Sequence, residues 1–313
     1  MPKDNHWLEM VNKLRRRMEQ VTDYLAIRTF YKPCGVEHYD GDPRIAIVIV
    51  NFNTVHYLKL LLITLSESLY EYRRLIKQIV IVDNASRDGS KDFLNQFESV
   101  QGISIVNNGK GLNHANGLRI GIRHIDETEK DIPKSGKSNY YLTIDSDVII
   151  IRNDLWADIQ EVIYQRSPDL LGEIQHDVGF PYVHPSFMLI KKWAYHREGI
   201  IPFINNGAPA LYLQQSLRAR RAEIVDFPVR KDGYIVHRGR GAIQGVQRYR
   251  RFHSYATVSG QEHFHGNNQG GMIWDAVEKK HAEIIGEPDG KKCAQYIASQ
   301  WSSCAHRQSL NDK

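Results

Sequence analysis

Ile45-Ala46-Ile47-Val48-Ile49-Val50-Asn51-Phe52-Asn53 is the stretch that decides the fold class. Six apolar residues in unbroken succession, most of them β-branched, cannot all sit on one face of a strand. Such a strand must be covered on both faces, which is the environment of a parallel sheet. Working outward, the same signature returns at Ile79-Val80-Ile81-Val82, more weakly at Ile103-Ser104-Ile105-Val106, and again at Tyr140-Tyr141-Leu142-Thr143-Ile144. Helical spacing fills the gaps, over 55–72, briefly after Ser90, and over 112–125. A polar link follows from Asp126 to Ser138. Strands alternating with helices predict right-handed β-α-β units, hence an α/β fold with a mainly parallel sheet and helices on both faces.

Beyond Asp147 the alternation becomes irregular. Helix signals lie over 153–166, 191–198 and 208–222, and strand signals over 186–190, 223–227 and 233–237. The tail beyond about 245 is polar, rich in His, Gly and Gln, with a weak helix near 291–302. Upstream, Trp7, Val11, Leu14, Met18, Val21 and Leu25 step by four and three, so an amphipathic helix is expected over 5–27, with Arg15, Arg16 and Arg17 mostly off its seam. It suits packing on the main domain or on the mate of a homodimer. Its basic and apolar faces together also suit an anionic membrane surface. The expected units are 1–43 (helix and linker), 44–150 (the regularly alternating α/β half), 151–245 (the second half of the same domain) and 246–313 (a lid or accessory helix).

The chain has 313 residues, 42% apolar and 25% charged, which excludes wholesale disorder and collagen-like structure. Its net charge of +5 permits an anionic partner without demanding one. Cys34, Cys293 and Cys304 are odd in number and far apart, against a disulfide framework or a Cys-rich zinc site. No apolar run approaches the ~20 residues of a membrane span, and charges interrupt the N-terminus where a signal peptide would need an apolar core. A soluble cytoplasmic protein is expected, with peripheral contact at the inner membrane face as the further option.

In an open parallel sheet, ligands bind beyond the carboxyl ends of the strands. Each strand here ends in polar residues: Asn51-Phe52-Asn53-Thr54, then Asp83-Asn84-Ala85-Ser86-Arg87-Asp88-Gly89-Ser90, then Asn107-Asn108-Gly109-Lys110-Gly111, and finally Asp145-Ser146-Asp147. Singly, these are ordinary turn and cap residues. Four such loops on one edge describe a site. In Asp145-Ser146-Asp147 an extended backbone turns both carboxylates to one side, where an oxygen pair suits Mg2+ or Mn2+ with phosphate oxygens completing the shell. No G-x-x-x-x-G-K-[ST] loop and no G-x-G-x-x-G after the first strand occur, so a Walker NTPase and an NAD-dependent dehydrogenase lose their main supports.

With Ile47-Val48-Ile49-Val50-Asn51-Phe52-Asn53, Val82-Asp83-Asn84-Ala85-Ser86, Asp88-Gly89-Ser90 and Asp145-Ser146-Asp147 in this order, the sequence resembles glycosyltransferase family 2 over about 44–150, and loosely over 180–242. The resemblance implies the GT-A fold and transfer of a sugar, of hexosyl type, from a UDP, dTDP or GDP donor to an acceptor hydroxyl. It implies that Asp83 reads the nucleotide base and that Asn51 and Asn53 line the same pocket. Asp145 would lie near ribose and metal, and Asp147 would bind the metal. Asn113 and Gly117 would face the donor, and His237 would supply a further metal or diphosphate contact. Arg238 and Arg240, in Arg238-Gly239-Arg240-Gly241, would cradle the diphosphate, as guanidinium forks suit phosphate.

The sequence departs from that family at the acceptor side. Where inverting members carry a Glu-Asp pair, Asn205-Asn206-Gly207-Ala208-Pro209 stands, read as a helix start with Pro209 in the first turn. Asn takes no proton, so the base lies elsewhere or the mechanism retains configuration. Asp177, His176 and His184 are the substitutes, with Asp177 and His184 first among them. The basic, aromatic-interleaved stretch 218–253 reads as solvated helix faces plus a phosphate pocket, or as a surface for an acceptor glycan, a lipid-linked phosphate or modified DNA. His263 and His265 are read as part of a mobile lid. The rival classes are a nucleotidyltransferase and a catalytically silent sugar- or nucleic-acid-binding protein.

Overall fold

The computed structural model describes residues 42–109, 113–176, 180–205, 208–239, 270–287 and 289–311, together with Met10, Leu14, Met18, Val21 and Thr22. The helix expected over 5–27 lies outside the described residues except for those five. Asp177, Asn206, Arg240, His263 and His265 also lie outside them.

In chain order the strands are β1 (Ile45–Asn51), β2 (Ile76–Asp83), β3 (Ile103–Asn107), β4 (Tyr140–Asp145), β5 (Val148–Ile150), β6 (Leu170–Gly172), β7 (Ile174–Gln175), β8 (Tyr182–Val183), β9 (Phe187–Lys191), β10 (Ile224–Asp226) and β11 (Ile235–His237). Seven of them form one sheet in the order β10-β6-β9-β4-β1-β2-β3. β4, β1, β2 and β3 run parallel to one another, as do β10 and β6, and β9 runs against β4 and β6. The fold is α/β with a mainly parallel sheet, as the apolar runs require.

The helices are α1 (Val55–Ser68), α2 (Ser90–Asn95), α3 (His114–Thr128), α4 (Leu155–Arg166), α5 (Lys192–His196), α6 (Leu211–Ala219), α7 (Gly270–Lys280), α8 (Ala282–Ile285) and α9 (Lys291–Asn311). Alternation along β1 divides them between two cores. Ile45, Ile47 and Ile49 pack with α1, α4 and the C-terminal helices. Ala46, Val48 and Val50 pack with α3, α5 and α6. Every residue of β1 is buried, which is the physical content of its unbroken apolar run.

α3 approaches β1 closely because it carries glycines on its inner face. A Cβ on Gly117 would stand 2.6 Å from Val50 Cγ1, and one on Gly121 2.5 Å from Val48 Cγ1. Farther along α3, Asp126 and Glu129 enter a buried polar cluster. Lys192 Nζ lies 2.8 Å from Asp126 Oδ1 and 2.9 Å from Glu129 Oε2, and His196 Nε2 lies 3.0 Å from Asp126 Oδ2.

Two elements differ from the sequence reading. The helix near 208–222 starts at Leu211, so Pro209 precedes it rather than occupying its first turn. The C-terminal region holds three helices where one weak helix was expected, and Trp274, Ile285, Cys293, Ile297 and Trp301 are buried in the core shared with α1. The Arg73 guanidinium lies 3.4 Å above the Trp301 ring, and Trp301 Nε1 donates to the Gln101 carbonyl at 2.9 Å.

Candidate active site

Strand register builds the site. Asn51 pairs with Asp83, Val50 with Asp145, and Asp83 with Asn107, so the polar ends of β1, β2, β3 and β4 stand side by side on one edge. Asn51 is fully buried there. Its Nδ2 donates to Asp83 Oδ1 (2.8 Å) and to Ser86 Oγ (3.0 Å), while its Oδ1 accepts from Thr54 Oγ1 (2.7 Å). The Ser86 amide donates to Asp83 Oδ2 at 3.1 Å. Each Asp83 oxygen therefore keeps one acceptor direction beyond its protein partner. Asn53 completes this wall, its amide donating to Ser86 Oγ (2.9 Å) and its Oδ1 accepting from the Arg87 amide (2.7 Å).

Asn53 and Ala85 both sit in the left-handed region, at φ 52 and 63. For alanine that costs roughly 1–2 kcal/mol, held here by the hydrogen bonds around it. The Asp88-Gly89-Ser90 motif has a local job: Asp88 Oδ2 accepts the Val55 amide at 2.8 Å and so caps α1, while Oδ1 accepts the Ser90 amide at 3.2 Å.

Thr54 joins this pocket to the carboxylate loop, its Oγ1 lying 2.8 Å from Ser146 Oγ. β5 leaves that loop antiparallel to β11, which sets His237 opposite Val148. The pairing delivers His237 Nε2 to 3.2 Å from Asp147 Oδ1 and 3.5 Å from Asp145 Oδ2. The carboxylates thus meet a histidine from a distant part of the chain. Asp145, His184 and His237 offer ligand atoms that all lie within 4.8 Å of one another. Burial, with Asp147 adding, raises the Asp145 carboxyl above its usual value against the pull of His114 and His237. Burial works against the His237 imidazolium, but Asp147 and then Asp145 outweigh it and raise its pKa. Two carboxylates with the His237 imidazole nitrogen form a mixed donor set that fits Mn2+ better than Mg2+, which prefers oxygen throughout.

His184 sits beside this cluster, its ring 5.7 Å from that of His237. Its Nδ1 accepts the Ser186 amide at 3.1 Å. In the neutral ring that places the proton on Nε2, so His184 presents a donor there rather than the lone pair a general base needs. His176 is exposed, and Asn205 lies in the segment before α6.

Asn113 caps α3, its Oδ1 accepting the Asn116 amide at 3.0 Å. The space beside Gly117 is taken by Val50, so the structure gives this glycine a packing task. The Arg238 amide donates to the Asp147 carbonyl at 3.0 Å, and its buried guanidinium lies 4.5 Å above the Tyr57 ring, which packs edge-on against Trp274. The residue that sequence reasoning missed is His114, whose Nε2 stands 3.4 Å from Asp145 Oδ1. Its signal was available: a histidine at the first position of a helix that starts on the same sheet edge.

Residues 46–176 match the family described as glycosyl transferase family 2. Over that span the chain is similar to glycosyltransferase family 2. The span holds β1 to β4, the Asn51–Asp83 pocket, and both carboxylates of the Asp145-Ser146-Asp147 loop; it ends before His184, Arg238 and His237. No curated protein matches the chain in sequence. Among solved structures, a mannosyltransferase from Pyrobaculum calidifontis, in complex with GDP-Man and Mn2+, is 15% identical over 97% of this chain and 90% of that one, with a TM-score of 0.49. Residues 1–349 of S. aureus TarS, in complex with UDP-GlcNAc, are 10% identical over 85% of this chain and 92% of that one, with a TM-score of 0.43.

Proposed function

We propose that the chain is a metal-dependent glycosyltransferase that takes a nucleoside-diphosphate sugar and transfers the sugar to an acceptor hydroxyl. The observation that carries this reading is the meeting of Asp145, Asp147 and His237 at 3.2–3.5 Å, on the edge where Asn51 and Asp83 form a polar pocket. The match of residues 46–176 to glycosyl transferase family 2 supports it. Asp145, Asp147 and His237 would hold Mn2+, with His184 alongside. When bound, the ion supplies positive charge against the departing diphosphate.

The chain's own residues do the rest. Asp83 accepts from the base edge through its remaining lone pairs, with Asn51 and the Ser86 amide fixing its orientation. Ser146 and Thr54 lock the carboxylate loop to that pocket, so base recognition and diphosphate placement share one rigid network. With His184 presenting a protonated Nε2, the acceptor proton goes to Asp177, the remaining candidate of the pair, or the reaction retains configuration and needs no such base.

Thermal denaturation with UDP, GDP and dTDP sugars, each with Mn2+ and with excess chelator, tests the reading. At a ligand concentration 100-fold above Kd, binding stabilises the fold by about 2.7 kcal/mol, readily seen as a rise in Tm. At least one nucleotide sugar is expected to raise Tm with Mn2+ and not with chelator. No shift from any of them with Mn2+ would contradict the proposal.

A further inference from the structure

We infer that His114 grips the diphosphate of the donor, as a hydrogen-bond donor at the mouth of the Asp145 site. The inference rests on the nucleotide-sugar reading above. Asp145 lies between two imidazoles, with His237 Nε2 at 3.5 Å from Oδ2 and His114 Nε2 at 3.4 Å from Oδ1. The two are not equivalent. The His237 side chain is 4% exposed, while that of His114 is 37% exposed. His237 belongs to the compact set of ligand atoms with Asp145 and His184, and His114 does not. His114 therefore stands on the open side of Asp145, where an incoming ligand passes.

The placement of that ring is built into the fold. His114 is the first residue of α3, a helix of 15 residues whose Asn113 cap bonds the Asn116 amide. Gly117 and Gly121 let α3 seat directly on Val50 and Val48, which fixes its first turn at the carboxyl edge of the sheet. The ring projects from the positive end of that helix, which favours an anion beside it. An imidazole N–H there suits a phosphate oxygen, and the same ring nitrogen faces Asp145 Oδ1 across 3.4 Å. Of the two arginines expected at the diphosphate, Arg240 lies outside the described residues and Arg238 has its guanidinium stacked on Tyr57, whereas His114 is an exposed donor beside Asp145.

Calorimetric titration of the full chain tests this, comparing wild type, His114→Ala and His114→Gln. The probes are Mn2+ alone, then UDP, GDP and dTDP with Mn2+, then UMP, GMP and dTMP with Mn2+. His114→Ala is expected to weaken the bound diphosphate roughly 10- to 100-fold, the loss of a charge-assisted hydrogen bond. The matching monophosphate and Mn2+ itself are expected to bind as in wild type. His114→Gln, whose side-chain amide also donates, is expected to keep most of the diphosphate affinity. Unchanged diphosphate affinity in His114→Ala overturns the inference. So does an equal loss for mono- and diphosphate, a loss of Mn2+ affinity, or a Gln variant as weak as Ala. If wild type binds none of the diphosphates with Mn2+, the nucleotide-sugar reading itself fails and takes this inference with it.

Discussion

Asp126 shows how a single residue makes stability depend on pH. Burial pushes its carboxyl up, but His196 and then Lys192 more than compensate, and its pKa ends below the ordinary carboxylate value. Lys192 shifts the other way for the complementary reason: burial lowers it, and Asp126 and Glu129 raise it further than that. A depressed carboxylate contributes stability above its unfolded value of about 4, lost as pH falls through the folded value. Breaking one arm of a buried ion cluster costs about 3–5 kcal/mol. Asp126→Asn is therefore expected to lower neutral-pH stability by about that amount and to flatten the acid limb below about pH 4. Urea melts across that range, for wild type and variant, check both. An acid limb equally steep in the two proteins would show that other groups govern it.

Elements were legible in the sequence where their pattern was long enough to have only one physical reading. β1 is the clearest case, since six apolar residues in a row need two covered faces, and its odd and even residues enter two separate cores. The site followed from the same logic, because parallel strands in register must bring Asn51, Asp83 and Asp145 to one edge. β6, β7 and β8, of three, two and two residues, carry no period to read. α7 was missed because it opens on Gly270-Gly271, residues that helix propensity disfavours, and buried Trp274 supplies the stability that propensity lacks. His114 carried a signal, a histidine opening a helix on the same sheet edge, but its nearness to Asp145 comes from the packing of that helix and from a strand thirty residues later. The packing of α3 on β1 makes its own prediction. Gly121→Ala places a methyl 2.5 Å from Val48 Cγ1, so helix or strand must shift. A cost of roughly 1–3 kcal/mol is expected from overpacking. Nucleotide affinity is expected to fall with it, because the shift carries His114 away from Asp145. Denaturant melts and calorimetry on the same variant check the pair of effects; unchanged stability would mean that the interface yields without strain.

At the scale of the whole molecule, the C-terminal helices are part of the frame that holds the site. Trp274 abuts Tyr57, Tyr57 lies under Arg238, and the Arg238 amide holds the Asp147 carbonyl. α9 closes over the far end of the same core through Trp301 and Arg73. Among the described residues, no helix is long and apolar enough to cross a membrane. The site thus draws on β1 to β5, α3 and β11, with α7 bracing it from behind. The proposed function turns on Asp145, Asp147 and His237, which would hold a divalent ion to supply positive charge against a departing diphosphate. The most direct test is release of nucleoside diphosphate from UDP, GDP and dTDP sugars with Mn2+, measured for wild type and Asp147→Asn. If the ion contributes about 4 kcal/mol to the departing group, the variant is about a thousandfold slower, and excess chelator slows wild type to the same degree. Wild-type rates in Asp147→Asn with excess chelator would contradict the account.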